Sequence, residues 1–184
     1  MAQRGAQDPF AGPAQATQPN IDIQFGSRAN SSALTDYSRS VISDVANQAG
    51  VSSMQISSTS RSPEDQARVM YENLMAGTAS VYKAPGEAVI ATFENARDAG
   101  LSAEQTKALM ASQIRDFIDQ GIFVSNHLGD PSVRNVFDVA PSSVSNRAAF
   151  EAAARANSSV TRFLSPRDND PAYHFEVLQP KPFK

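Results

Sequence analysis

Cysteine is missing from these 184 residues, and histidine occurs only twice. The first absence excludes disulfides, thiolate zinc sites and cysteine nucleophiles, and it leaves the redox compartment open. The scarcity of histidine means that any imidazole chemistry falls to His127 and His174. Long apolar runs are missing too. Stretches such as "GIFV" fall far short of the roughly 20 residues that span a bilayer, so no membrane insertion is expected. There is no excess of positive charge: 16 Lys and Arg stand against 19 Asp and Glu, for a net charge of -3. Nucleic-acid binding calls for a basic face, and no nucleic-acid partner is expected. The opening "MAQRGAQDPFAGPAQATQPN" has no apolar h-region and does not read as a Sec signal peptide. Rich in Ala, Gln, Pro and Gly, residues 1–20 read as a flexible arm.

What is present suits one globular domain over residues 21–184, with 41% hydrophobic residues in the whole chain. "IDIQF" (21–25) alternates and ends at Gly26, as an edge strand does. Residues 35–49 predict a helix with Thr35 as cap and Gly50 as stop. "SMQISST" (53–59) predicts a strand. Ser62, Pro63 and Asp65 open a helix that runs to about Met75. Helices are expected over 87–99 and 102–120, the latter opened by a Ser102/Gln105 capping box, with Leu109, Ile114, Phe117 and Ile118 along its apolar stripe. Strands are expected at 122–128 and 134–140, a helix at 146–156 with Ser145 as cap, and closing strands at 159–164 and 173–178. Helices come first and strands later. This order favours an α+β fold with a central antiparallel sheet and helices packed around it, over a βαβ winding.

Both histidines and one carboxylate fall in or beside these apolar strands: His127 in "SNHLGD", Asp138 in "NVFDVA" and His174 in "AYHFEV". A single strand histidine is ordinarily a hydrogen-bonded core residue. A carboxylate in an apolar strand, however, is costly unless it is paired or bound to metal. Two imidazoles and a carboxylate suit zinc, and a catalytic zinc site keeps three protein ligands and one open position. In a chain without cysteine, His127, Asp138 and His174 form the best available zinc site.

These segments carry a family resemblance. "SNHLGDPSVRNVFDV" resembles the Ser-x-His…Asp segment of the D-Ala-D-Ala metallopeptidases, the VanY- and VanX-like peptidases and phage endolysin peptidases, of the wider group that includes lysostaphin-type enzymes and the hedgehog signalling domain. "AYHFEV" is similar to that family's closing "WHxE" strand, and "ISSTSRSPEDQARV" is similar to its "SGYRSPExQ" segment. The three come in the family's order, and the resemblance covers roughly residues 35–180. It implies a Zn2+ cofactor held by His127, Asp138 and His174. It implies that Arg61 holds a substrate carbonyl or carboxylate, as its bidentate guanidinium is suited to do, that Ser125 is the motif serine, and that Gln66 faces the site. The implied activity is hydrolysis of a peptide bond in peptidoglycan, with the stem peptide or cross-link as substrate.

The chain departs from the family in three places. Eleven positions separate His127 from Asp138, more than the family's spacing, and an insertion at or near "DPSV" would lengthen a turn at little cost. The position where the family carries its glutamate general base is Pro171 here. Asp170 is the replacement expected, with Asp168 and Glu176 behind it; Glu176 shares a strand face with His174 and also suits a supporting role. Residues 87–120 form a helical insertion, to be read as a lid, a groove wall or packing. Without a Sec signal, a cell-wall peptidase would reach the periplasm through a holin pore, on a virion or by a secretion machine, and an immunity protein or a particle component would be its protein partner. The alternative from another class is a catalytically silent zinc-binding relative that serves as a virion or secreted binding module.

Overall fold

The computed structural model describes residues 20–78 and 84–181. The arm expected over residues 1–20 lies outside the described residues except for Asn20. The described chain is α+β: a five-stranded mixed sheet with five helices around it. The strands are β1 (Asp22–Phe25), β2 (Ser53–Ser58), β3 (Arg134–Val139), β4 (Val160–Leu164) and β5 (Tyr173–Leu178). They lie in the order β1-β2-β3-β5-β4. The helices are α1 (Asp36–Ala49), α2 (Pro63–Met75), α3 (Ala84–Asp98), α4 (Ala103–Asp119) and α5 (Arg147–Ala156). Among the described residues no helix is long and apolar enough to cross a membrane.

The helix boundaries follow local chemistry. Thr35 accepts a hydrogen bond from the Ser38 amide to open α1, and Gly50 closes it in the left-handed conformation that glycine adopts without strain. Ser62 caps α2 with Pro63 in its first turn. Ser102 and Gln105 complete a capping box on α4. The cap of α5 is Asn146, whose side chain accepts from the Ala149 amide, and not the expected Ser145.

Two expectations about the strands are corrected as well. The sheet is not wholly antiparallel: β1 pairs parallel with β2, joined through α1, so the chain opens with a βαβ unit, while the other pairings are antiparallel. The four-residue β1 gives too little pattern to reveal its direction. Residues 122–128 are not a strand either. They form an irregular segment ending in a 3-10 turn, Asn126–Leu128. Ser125 caps that turn by accepting from the His127 amide, and a short apolar run cannot by itself distinguish a strand from such a segment.

Side-chain alternation divides the sheet. Phe137 and Val139 of β3 and Tyr173, Phe175 and Val177 of β5 point to one face, where they join Val41, Ile42 and Val45 of α1 and Phe150 of α5 in the main core. Phe137 and Phe175 stack at 5.2 Å across the strand pair. The intervening residues Asp138, His174 and Glu176 therefore point to the opposite face. A second core lies between α2, α3 and α4, built on Met70, Val89, Phe93, Met110 and Ile114, with Leu128 at its edge. The 87–120 region thus packs on α2, with an apolar layer of its own.

Candidate metal centre

Strand register brings the first pair together. Asp138 on β3 lies directly opposite His174 on β5. Asp138 Oδ1 and His174 Nδ1 stand 2.9 Å apart. The other carboxylate oxygen, Oδ2, is 3.2 Å from His127 Nε2. His127 arrives from the 3-10 turn, and its Nδ1 lies 3.0 Å from the Thr59 carbonyl. A carbonyl only accepts, so Nδ1 carries a proton there, and Nε2 is the ring nitrogen directed toward Asp138 and available to a metal. The imidazoles meet edge to face, with ring centroids 5.3 Å apart.

The three candidate donor atoms lie within 4.8 Å of one another. Donors about 2.0–2.1 Å from a tetrahedral zinc stand roughly 3.3 Å from each other, close to the two separations measured from Asp138. The group could hold a metal ion. Two neutral imidazole nitrogens and one carboxylate fit zinc and leave one position open.

Electrostatics within the group are strongly coupled. Burial alone would raise the Asp138 carboxyl, but hydrogen bonds and charge from His127 and His174 outweigh it and hold the group well below the usual carboxylate range. Burial alone would lower His174. The hydrogen bond and charge of Asp138, the charge of Asp170 and the bond to Glu176 prevail and raise it.

This group opens into a cleft of about 360 Å³ that also takes in Arg61, Gln66, Ser125, Asp170 and Pro171. All seven residues expected at the site therefore line one cleft. Arg61 Nη2 donates to Ser58 Oγ at 2.6 Å and Nη1 to Gln66 Oε1 at 2.9 Å, while its backbone amide donates to the His127 carbonyl at 2.8 Å. Gln66 therefore orients the arginine. A register shift in β2 between Ile56 and Ser58 makes this arrangement reachable. Ile56 pairs with Val139 on the core side, while Ser58 pairs with Asp138 on the site side.

Asp170 follows a 3-10 turn, Pro166–Asp168, and Asn169 in the left-handed conformation. Its amide donates to the Ser165 carbonyl, and its Oδ1 accepts from the Ala172 amide at 3.0 Å. The two reserve bases are placed elsewhere. Asp168 is committed to Arg155 and to the Ser165 cap, and it does not line the cleft. Glu176 is buried and does not line it either; Arg134 and Arg162 pair with it.

Residues unremarked in the sequence also line the cleft: Arg28, Val69, Asn73, Val124, Asn126 and Leu164. Arg28 follows β1 and reaches Glu72 of α2 at 3.5 Å. Its arrival depends on the parallel β1–β2 pairing, which no local pattern announces. No residue of α3 or α4 contributes to the cleft lining, so these helices are placed as packing for α2 and not as a wall. Compared with known protein families, with curated proteins and with solved structures, the chain matches none.

Proposed function

We propose that this chain is a zinc-dependent peptidase that cleaves a bond in the peptide of peptidoglycan. One observation supports this above the rest: a His127, Asp138, His174 donor group lies at a cleft that also presents a fixed guanidinium and a carboxylate. His127 Nε2, Asp138 and His174 Nδ1 would hold the ion. When bound, zinc supplies a Lewis acid that polarises a peptide carbonyl and eases the deprotonation of water. Arg61, held by Ser58 and Gln66, holds the carbonyl or carboxylate of the substrate in a fixed orientation. Asp170 takes a proton from the attacking water and returns it to the leaving amine. Ser125 shapes the cleft by capping the turn that carries His127. The substrate class comes from the resemblance of the three motif segments to the D-Ala-D-Ala metallopeptidases. On this reading the chain acts in the cell wall after delivery by a holin, a virion or a secretion system.

A second reading has its own observation. Pro171 stands where the resembling family carries its general base, and one oxygen of Asp170 is occupied by the Ala172 amide. A zinc-binding module without hydrolytic activity fits those two facts. Digestion of purified sacculi by zinc-loaded protein separates the readings, with fragments identified by mass spectrometry. The peptidase reading expects fragments that disappear with chelator and with Asp170→Ala, while that variant still binds one zinc. Intact sacculi from wild-type protein shown to hold one zinc would favour the silent module. Normal cleavage by Asp170→Ala would remove Asp170 from the mechanism.

A further inference from the structure

We infer that Glu176 is a positioning residue of the metal centre, holding His174 by its outer ring nitrogen and, through Asn126, the turn that carries His127. This rests on the reading of His127, Asp138 and His174 as a zinc site and on nothing about the substrate. Glu176 is 3% exposed. A carboxylate buried that far needs charged or hydrogen-bonding partners, and it has four. Arg134 of β3 reaches Oε2 at 3.1 Å, and Arg162 of β4 reaches Oε1 at 3.5 Å. Asn126 Nδ2 donates to Oε1 at 2.8 Å, and His174 Nε2 lies 3.4 Å from the same oxygen.

The two arginines compensate its charge, and both are about half exposed, so the ion pairs by themselves could sit at the sheet surface. The direction of Oε1 is what they leave unexplained. It meets His174 on the side opposite Asp138, which gives the two ring nitrogens separate tasks: Nδ1 faces the metal group, and Nε2 donates to Glu176. A carboxylate on the outer nitrogen of a ligating histidine sets its tautomer and ring orientation. The Thr59 carbonyl does the same for His127. Asn126, adjacent to His127 in the chain, ties the two histidines to one anchor. Glu176 does not line the cleft, so it acts through His174 and not on substrate.

The test uses the full chain with zinc alone as the probe. Zinc affinity is read by competition with a chromophoric chelator, and the His174 imidazole is observed by 15N NMR. Wild type is expected to bind one zinc and to show a His174 Nε2–H protected from solvent exchange. Glu176→Gln keeps the size of the side chain and is expected to weaken zinc binding about 10- to 100-fold and to expose Nε2–H to exchange. Asn126→Ala leaves Glu176 and both arginines in place and is expected to weaken zinc binding in the same direction. Glu151→Gln is the control. It removes another buried carboxylate, bonded to Tyr173 and Arg167 outside the cleft, and should leave zinc affinity unchanged. Wild type with one zinc, together with unaltered affinity and a protected Nε2–H in Glu176→Gln, would overturn the inference alone. If Glu176→Gln does not fold, unaltered affinity in Asn126→Ala would overturn it. Wild type that takes up no zinc would overturn it together with the metal-centre reading.

Discussion

Asp138 is the pivot of the candidate site, because its two oxygens separately meet the two histidines. Asp138→Ala should abolish stoichiometric zinc uptake, as measured by metal analysis of the purified protein. It should also release His174 from the hydrogen bond and charge that raise it. The same coupling sets the pH dependence. A histidine whose folded pKa is raised stabilises the metal-free protein fully below its unfolded value, about 6.5, and that contribution is lost as pH rises through the folded value. Zinc must displace the proton that Asp138 helps to retain. Zinc affinity is therefore expected to rise with pH from mildly acid through neutral, while the metal-free protein loses this part of its stability over the same interval. Titration of zinc affinity against pH, paired with denaturation of the metal-free protein, checks both signs. An affinity flat across that interval would contradict the coupling.

At the scale of elements, the site depends on a strand register, a bulge and a turn. The β3–β5 register places Asp138 beside His174, the irregularity in β2 brings Ser58 to the same side, and the 3-10 turn delivers His127. Helices α3 and α4 meet these devices at Leu128 of the turn, buried at the edge of their layer, but they do not line the cleft. Ile114 is fully buried in their layer, and Ile114→Ala should cost about 2–5 kcal/mol in chemical denaturation. Because no residue of α3 or α4 lines the cleft, the folded variant should still take up one zinc. Loss of zinc from a folded Ile114→Ala protein would show that this layer governs the site's geometry after all. The helices were legible because capping and apolar spacing are local: Ser102 and Gln105 announce α4 within four residues. The 122–128 segment misled because its apolar residues serve different purposes. Leu128 is buried at the edge of the helical core, while Ile122 and Phe123 are exposed.

Over the whole molecule, zinc would act as a clamp between parts of the chain distant in sequence, since its three candidate ligands come from a turn and two strands. A ligand that binds only the folded state stabilises it by roughly 2.7 kcal/mol at a hundredfold excess over Kd, which raises Tm by roughly 5–10 °C in a domain of this size. Scanning calorimetry with and without zinc should show that rise in wild type and none in His127→Ala. An equal rise in both would place the ion elsewhere.

The sequence by itself determined most helix ends, most strands and which three residues form the candidate metal group. Capping is written in adjacent residues, and a buried carboxylate among apolar residues requires a compensating partner. A chain with two histidines also offers few alternatives. Only the tertiary structure decided which of the acidic residues share the cleft. Asp168, Asp170 and Glu176 are close in sequence, yet one caps a turn, one lines the cleft and one is buried behind His174. Likewise, only the fold brings Thr59 and Arg28 to the site and sets Asn126 against Glu176. Their placement follows from strand register and from the parallel pairing of β1 with β2, which depend on contacts between distant segments and leave no local pattern to read.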